Sequence, residues 1–226
     1  NGNGQADSTT PTRTVTLQTV QPVWEAGARL AYTSPGATGA SCSTADAGKT
    51  GRAGCRRILP WRDNTGSTRN NLVDAGEVME FKADSTTVVK LCPYLAASNV
   101  VNCTSATAAD KTAALNQATD LINFHRGFDG TSSTDMITPN LRNRTITVVK
   151  PDDPLAREPR VWKLGDVIDS TPTIVAAPKE RLDTIYGDGT YATFFAQYKN
   201  RREVAYVGAN DGMLHAFNGG FFTKGD

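Results

Sequence analysis

Residues 204–220, VAYVGANDGMLHAFNGG, constrain the fold of this chain more than any other stretch. Val204 to Val207 is apolar and β-branched-rich, and Met213 to Phe217 resumes the pattern after Asp211-Gly212. That dipeptide is among the strongest short-range signals for a two-residue hairpin loop. With such a loop, Ala209 faces Leu214, Val207 faces Ala216, Gly208 faces His215 and Tyr206 faces Phe217. The last pair is an aromatic cross-strand contact contributing roughly 0.2–1 kcal/mol. A lone hairpin is at best marginal in water, so further strands must pack beside it. Few residues follow, and the expectation is a sheet that this chain only begins.

Upstream, PVWEAGARLAY at 22–32 reads as a helix, with Pro22 suited to its first turn and Gly27 explained by close packing against another backbone. RRILPW and EVMEFKA are strand candidates around a turn-rich connector. Residues 105–126 form the clearest helix: Leu115, Ala118, Ile122 and His125 share a face, and Gly127 after Arg126 supplies the left-handed stop. TITVVK reads as a strand, PDDPLAREP as a rigid connector, and STPTIVAAP as a short strand between prolines. TYATFFAQYK places Tyr191, Phe194, Phe195 and Tyr198 at helical spacing. Residues 1–18 form a polar segment or linker, with alternation at Val15 and Leu17, and no repeat organises the rest.

The four cysteines fall in local pairs, Cys42 with Cys55 and Cys92 with Cys103. Sequential pairing closes two short loops, each worth about 3 kcal/mol in the chain-entropy view. Buried free thiols are a rival reading. Zinc is a poorer one, because the usual ligand spacing is absent and His125 and His215 lie far from either pair. Disulfides imply an oxidising compartment. The 24 Lys and Arg against 23 Asp and Glu leave a net charge of +1, which recruits neither nucleic acid nor an anionic membrane. No apolar run approaches the ~20 residues that a membrane-spanning helix needs. The start, NGNGQAD, has no initiator methionine or signal-like run, which reads as a processed or internal fragment.

Catalytic signatures are missing: no phosphate-cradling glycine pattern, no H-E-x-x-H and no G-x-S-x-G. His125 reads as a packed residue near a helix C-terminus and His215 as a ring over Gly208. Acidic turns such as DGTSSTD lack the closing glutamate and alternation of a calcium loop. In LGDVIDSTPT, Asp166 and Asp169 beside glycine and proline read as acids that hydrogen-bond backbone and fix a turn.

Three segments in order carry a resemblance: LINFHRG at 121–127, WKLGDVIDSTPTIVAAP at 162–178, and RREVAYVGANDGMLHAFNGG at 201–220, with WEAGARLAY at 24–32 as a lead-in. They resemble the type IV pilus biogenesis and tip-adhesin family called PilC/PilY. The matching positions are Arg126, Gly127, Leu164, Gly165, Asp166, Gly208, Asn210, Asp211, Gly212 and His215. Asp169 departs from the histidine common there. The resemblance implies a fold that is mainly β with helical and loop insertions, a partial, truncated β-propeller spanning 19–226. It implies a non-enzymatic exported protein at the type IV pilus tip, supporting pilus assembly, adhesion and twitching motility. Its partners would be minor pilins and a host-cell or abiotic surface, and its location extracellular or on the cell surface. No cofactor is implied for this chain, and calcium is left to the full-length protein outside these residues. The alternatives are a quinone-dependent periplasmic dehydrogenase-like propeller fragment, or another exported propeller-bearing binding module. The enzyme reading needs a stacking tryptophan among acids, and Trp24, Trp61 and Trp162 do not sit in such a setting.

Overall fold

The structure, a computed structural model, describes residues 25–33, 56–63, 70–95, 103–150 and 153–220. Val15, Leu17, Pro22, Trp24 and the Cys42–Cys55 pair lie outside the described residues. The chain divides into two compact units, with the described residues up to Lys163 in one and those from Leu164 in the other.

The first unit is organised by helices. α1 (Ala26–Ala31) precedes α2 (Ser85–Leu95) and α3 (Ala108–Arg126). In α2, Val88, Leu91 and Cys92 recur at helical spacing and are buried, and Asp84 starts the helix by accepting from Thr87 N at 2.7 Å. Such a cap contributes about 1 kcal/mol. α3 buries Ala114, Ala118 and Ile122 against that face, and Phe81, Cys92 and Cys103 complete the core. Cys92 and Cys103 are bonded, with a Cα–Cα distance of 5.9 Å. Gly127 ends α3 at φ 106°, and its N–H reaches Asn123 O at 3.1 Å. The strand candidates at 56–61 and 77–83 lie antiparallel, through Phe81 N to Ile58 O at 2.8 Å and Met79 N to Pro60 O at 3.2 Å, and Arg62 N just beyond reaches Glu77 O at 3.1 Å. Only Trp61 and Val78 form a regular bridge.

β1 (Thr145–Lys150) pairs with β2 (Asp153–Val161) in a two-stranded antiparallel sheet. The expected rigid connector at 151–159 is therefore mostly strand. Pro159, opposite Thr147, is tolerated because a two-stranded sheet has only edge strands. Val148 packs on Ala31 of α1 and on Tyr32, which caps it. Gly27 meets the Trp162 indole, a side chain where a backbone was expected. A Cβ there would lie 2.1 Å from the ring.

The second unit holds β3 (Thr173–Val175), α4 (Leu182–Tyr186), α5 (Gly189–Tyr198), β4 (Glu203–Gly208) and β5 (Leu214–Gly220). Asp188 caps α5 through Thr190 N and Tyr191 N. Arg201 Nε donates to Ala176 O at 2.9 Å and fastens the chain after α5 to the end of β3. The three strands form one antiparallel sheet in the order β3-β4-β5.

These elements correct the expected fold class. A propeller needs four-stranded blades arranged radially. The described residues form a mixed α/β structure with two small open sheets, of two and three strands. The physical reason lies in the core: its larger cluster is built on the facing helices α2 and α3 and the disulfide, not between sheets.

Candidate functional site

Family-like residues of the second unit converge on the β4–β5 turn. Ala209 N donates to Met213 O and Gly212 N to Ala209 O, both at 3.1 Å, leaving a loop of Asn210, Asp211 and Gly212. Gly212 has φ 77°, and Asp211 is not among the positive-φ residues. This is a turn closed by a left-handed glycine bulge. The two-residue loop of the sequence reading needs two positive φ values, whereas the observed loop needs one, at the residue that tolerates it. The register slips accordingly: Val207 opposes His215, Gly208 opposes Leu214 and Tyr206 opposes Ala216. Neither the Gly208–His215 pairing nor the Tyr206–Phe217 pair forms. His215 instead stacks on Phe217 of its own strand, with centroids 5.9 Å apart.

Asp211 is the centre of the arrangement. Its Oδ2 accepts from Gly165 N at 3.1 Å and from His215 Nε2 at 2.8 Å, and its Oδ1 accepts from Met213 N at 3.1 Å. Asn210 N donates to Asp166 O at 2.9 Å, and Gly208 N to Ser170 Oγ at 3.0 Å. A clasp of backbone and side-chain bonds thus holds 165–170 along the hairpin. Gly165 is required by close approach, since a Cβ there would lie 2.6 Å from Asp211 N. Burial pushes the Asp211 carboxyl up, but the His215 hydrogen bond and charge, with the Gly165 and Met213 N–H groups, bring it below its ordinary value. Asp166 enters through its carbonyl, where a side-chain role was expected, and Asp169 is exposed. Leu164 is half-buried.

Arg126 and Gly127 belong to the first unit and serve a different junction. Arg126 Nη1 donates to Phe81 O and Arg56 Nη1 to His125 O, both at 2.7 Å, and Arg144 donates to Phe124 O. Cations therefore gather on the carbonyl end of α3, where the helix dipole favours them. The Lys163 stem crosses Gly127, where a Cβ would lie 2.1 Å from its Cε, and its Nζ donates to Ala31 O at 2.7 Å. Burial, and then the charges of Arg56, Arg144 and Arg160, lower this ammonium to about 8. His125 donates from Nδ1 to Leu121 O at 2.8 Å and meets Phe81 and Phe124 edge-on. Sequence reasoning missed Lys163, whose only local signal is a position before Leu164-Gly165.

Chemically, both arrangements join segments of backbone. Among the described residues no three His, Cys, Asp or Glu side chains are grouped to hold a metal ion, and no helix is long and apolar enough to cross a membrane.

No protein-family profile matches the chain, and no solved structure matches it. Curated proteins do. Over 58 residues the chain is 53% identical to a "Type IV pilus biogenesis factor PilY1 homolog" of Xylella fastidiosa (strain Temecula1). Over 59 residues it is 42% identical to "Type IV pilus biogenesis factor PilY1" of Pseudomonas aeruginosa (strain UCBPP-PA14), and over 58 residues 43% identical to that of strain PAK. Each match takes in 24% of this chain and 5% of the relative, so the likeness spans a small part of the relatives' length. It marks a distant, partial relationship to PilY1-like proteins.

Proposed function

We propose that the protein carrying this chain is a non-enzymatic, exported component of type IV pili, acting at the pilus tip in assembly, adhesion and twitching, with minor pilins as partners. The observation that carries this reading is the 53% identity over 58 residues to a protein named as a pilus biogenesis factor. The chemistry of the clasp supports it. Asp211 and His215 are committed to each other and to backbone, as expected of a scaffold that presents surfaces. The buried Cys92–Cys103 bond suits a protein assembled in an oxidising compartment. The test is to purify the tagged full-length protein from sheared surface appendages and identify what accompanies it. Pilin subunits, with loss of twitching when its gene is deleted, are the expected result. Recovery from the cytosol without pilins, and unchanged twitching, overturns the reading.

A further inference from the structure

We propose that the Cys92–Cys103 pair is a redox latch on the α2–α3 core: the thiols have to be oxidised before that core closes, and closure then seals the bond against reductants. The oxidising compartment comes from the pilus reading, and the latch itself from the structure. The bond joins the last turn of α2 to the stretch leading into α3, across a separation of 11 residues. Both cysteines belong to the buried cluster that the two helices share, with Cys92 0% and Cys103 5% exposed. Forming the bond takes two displacements. The thiolate of one cysteine attacks a disulfide of a protein oxidant, giving a mixed disulfide and expelling one oxidant thiolate. The thiolate of the other cysteine then attacks the first cysteine's sulfur, closing Cys92–Cys103 and expelling the oxidant's second thiolate. The two thiols lose two protons and two electrons, and the oxidant becomes a dithiol. Each attack needs a line of approach to a sulfur atom, and cysteines this buried offer none. Oxidation therefore belongs to the open chain. Reduction runs through the same displacements in reverse, so it waits for the core to open.

The open chain also needs the bond in order to close. α2 has 11 residues and carries Pro93, short of the length at which an isolated helix holds in water. Among the described residues, the larger apolar side chains buried in the cluster are Phe81, Val88, Leu91 and Ile122. The other buried members are two alanines and the two cysteines, with partly buried side chains packed around them. A core this thin has little stability to spare, which is the situation in which small folds rely on staples. Reduced, the two thiols still pack as small apolar groups, but the constraint on the open chain is gone. That removes a factor of about 30 to 700 from the ratio of closed to open core. A chain whose thiols stay reduced before export is thus kept open, and oxidation afterwards fixes it closed.

The experiment uses the purified full-length protein in its oxidised form, with alkylation and peptide mapping to follow Cys92 and Cys103. Dithiothreitol in native buffer should reduce the bond at least about 100-fold more slowly than it does in concentrated urea. The protein is then reduced and returned to native buffer that keeps its thiols free. Hydrogen exchange over 85–95 and 108–126 should be about 30- to 700-fold faster than in the oxidised protein, while 203–217 keeps its protection. Protection over the two helices should return when an oxidised protein disulfide is added. The Cys92→Ala/Cys103→Ala variant, purified without denaturant, gives the same comparison and should exchange at least as fast as the reduced protein. Native reduction within about tenfold of the rate in urea overturns the seal, and with it the latch. Helix protection in the reduced protein within about twofold of the oxidised one overturns it as well, since the core then closes on free thiols. Both results are read on purified protein and leave the pilus reading to its own test, which is where the protein is recovered and with what.

Discussion

Gly165→Ala tests the clasp where it is tightest. The added methyl meets Asp211 N at 2.6 Å and the Asp211 side chain at 2.9 Å, so a backbone must move. Forcing a methyl into a packed site costs about 1–3 kcal/mol. The shift also pulls Gly165 N from the carboxylate it donates to, and such a bond to a charged group contributes about 1.5–3 kcal/mol. The two costs share one displacement, so a total of roughly 2–4 kcal/mol is expected, a rise of about 30- to 700-fold in the local opening constant. Hydrogen exchange read by mass spectrometry over 163–170 and 203–217 is the assay, since it reports local opening without requiring global unfolding. Protection should fall in both peptides and hold over 108–126. Gly212→Ala is the comparison: nothing lies within 4 Å of its Cβ, but its φ of 77° costs about 1–2 kcal/mol, so its effect should be smaller. Protection within about twofold of wild type in Gly165→Ala would show that this approach is not a constraint.

Replacing both Cys92 and Cys103 with serine should lower the stability of the first unit by about 2–4 kcal/mol in denaturant titrations, and unreduced peptide mapping should recover the 92–103 cross-link; an unchanged midpoint or free thiols refute this. Lys163 gives a pH signature: its folded value of about 8 lies below the ordinary lysine range, so between those limits the unfolded chain binds more protons and stability rises with pH. Lys163→Met should remove that alkaline rise, a change on the order of 3 kcal/mol at most, and an identical pH profile counts against the buried ammonium. Asp211 works in the opposite sense. Its depressed value stabilises the clasp above the ordinary carboxylate range, and that support is lost as pH falls through the folded value, so hairpin protection should drop in acid and Asp211→Asn should flatten the drop. His215→Gln keeps a donor toward Asp211 and should loosen the hairpin less than Asp211→Ala does; the reverse order of exchange rates refutes Asp211 as the centre.

By itself the sequence determined the parts whose causes are local. α3 follows from an apolar stripe and a glycine stop, α5 from aromatic spacing after Asp188, and the Cys92–Cys103 bond from short separation beside a helix. A turn at Asp211-Gly212 is equally legible, because Asp-Gly supplies it whatever surrounds it, although the loop takes in Asn210 as well. Tertiary structure decided what those parts do together. The clasp depends on Asp211 reaching Gly165, 46 positions away, a contact that no local pattern announces. α2 was hidden because Pro93 near its end reads as a breaker, while its apolar face gains stability only against α3. β2 reads as a connector for its prolines, which only an edge position allows within a strand. Lys163 has no local mark at all, since its role arises from Gly127 and Ala31 meeting it in space. The extent of the sheets is the largest case. Strand propensity says that a segment can pair, but how many strands join depends on which faces helices have already covered, and here α2 and α3 form the larger core.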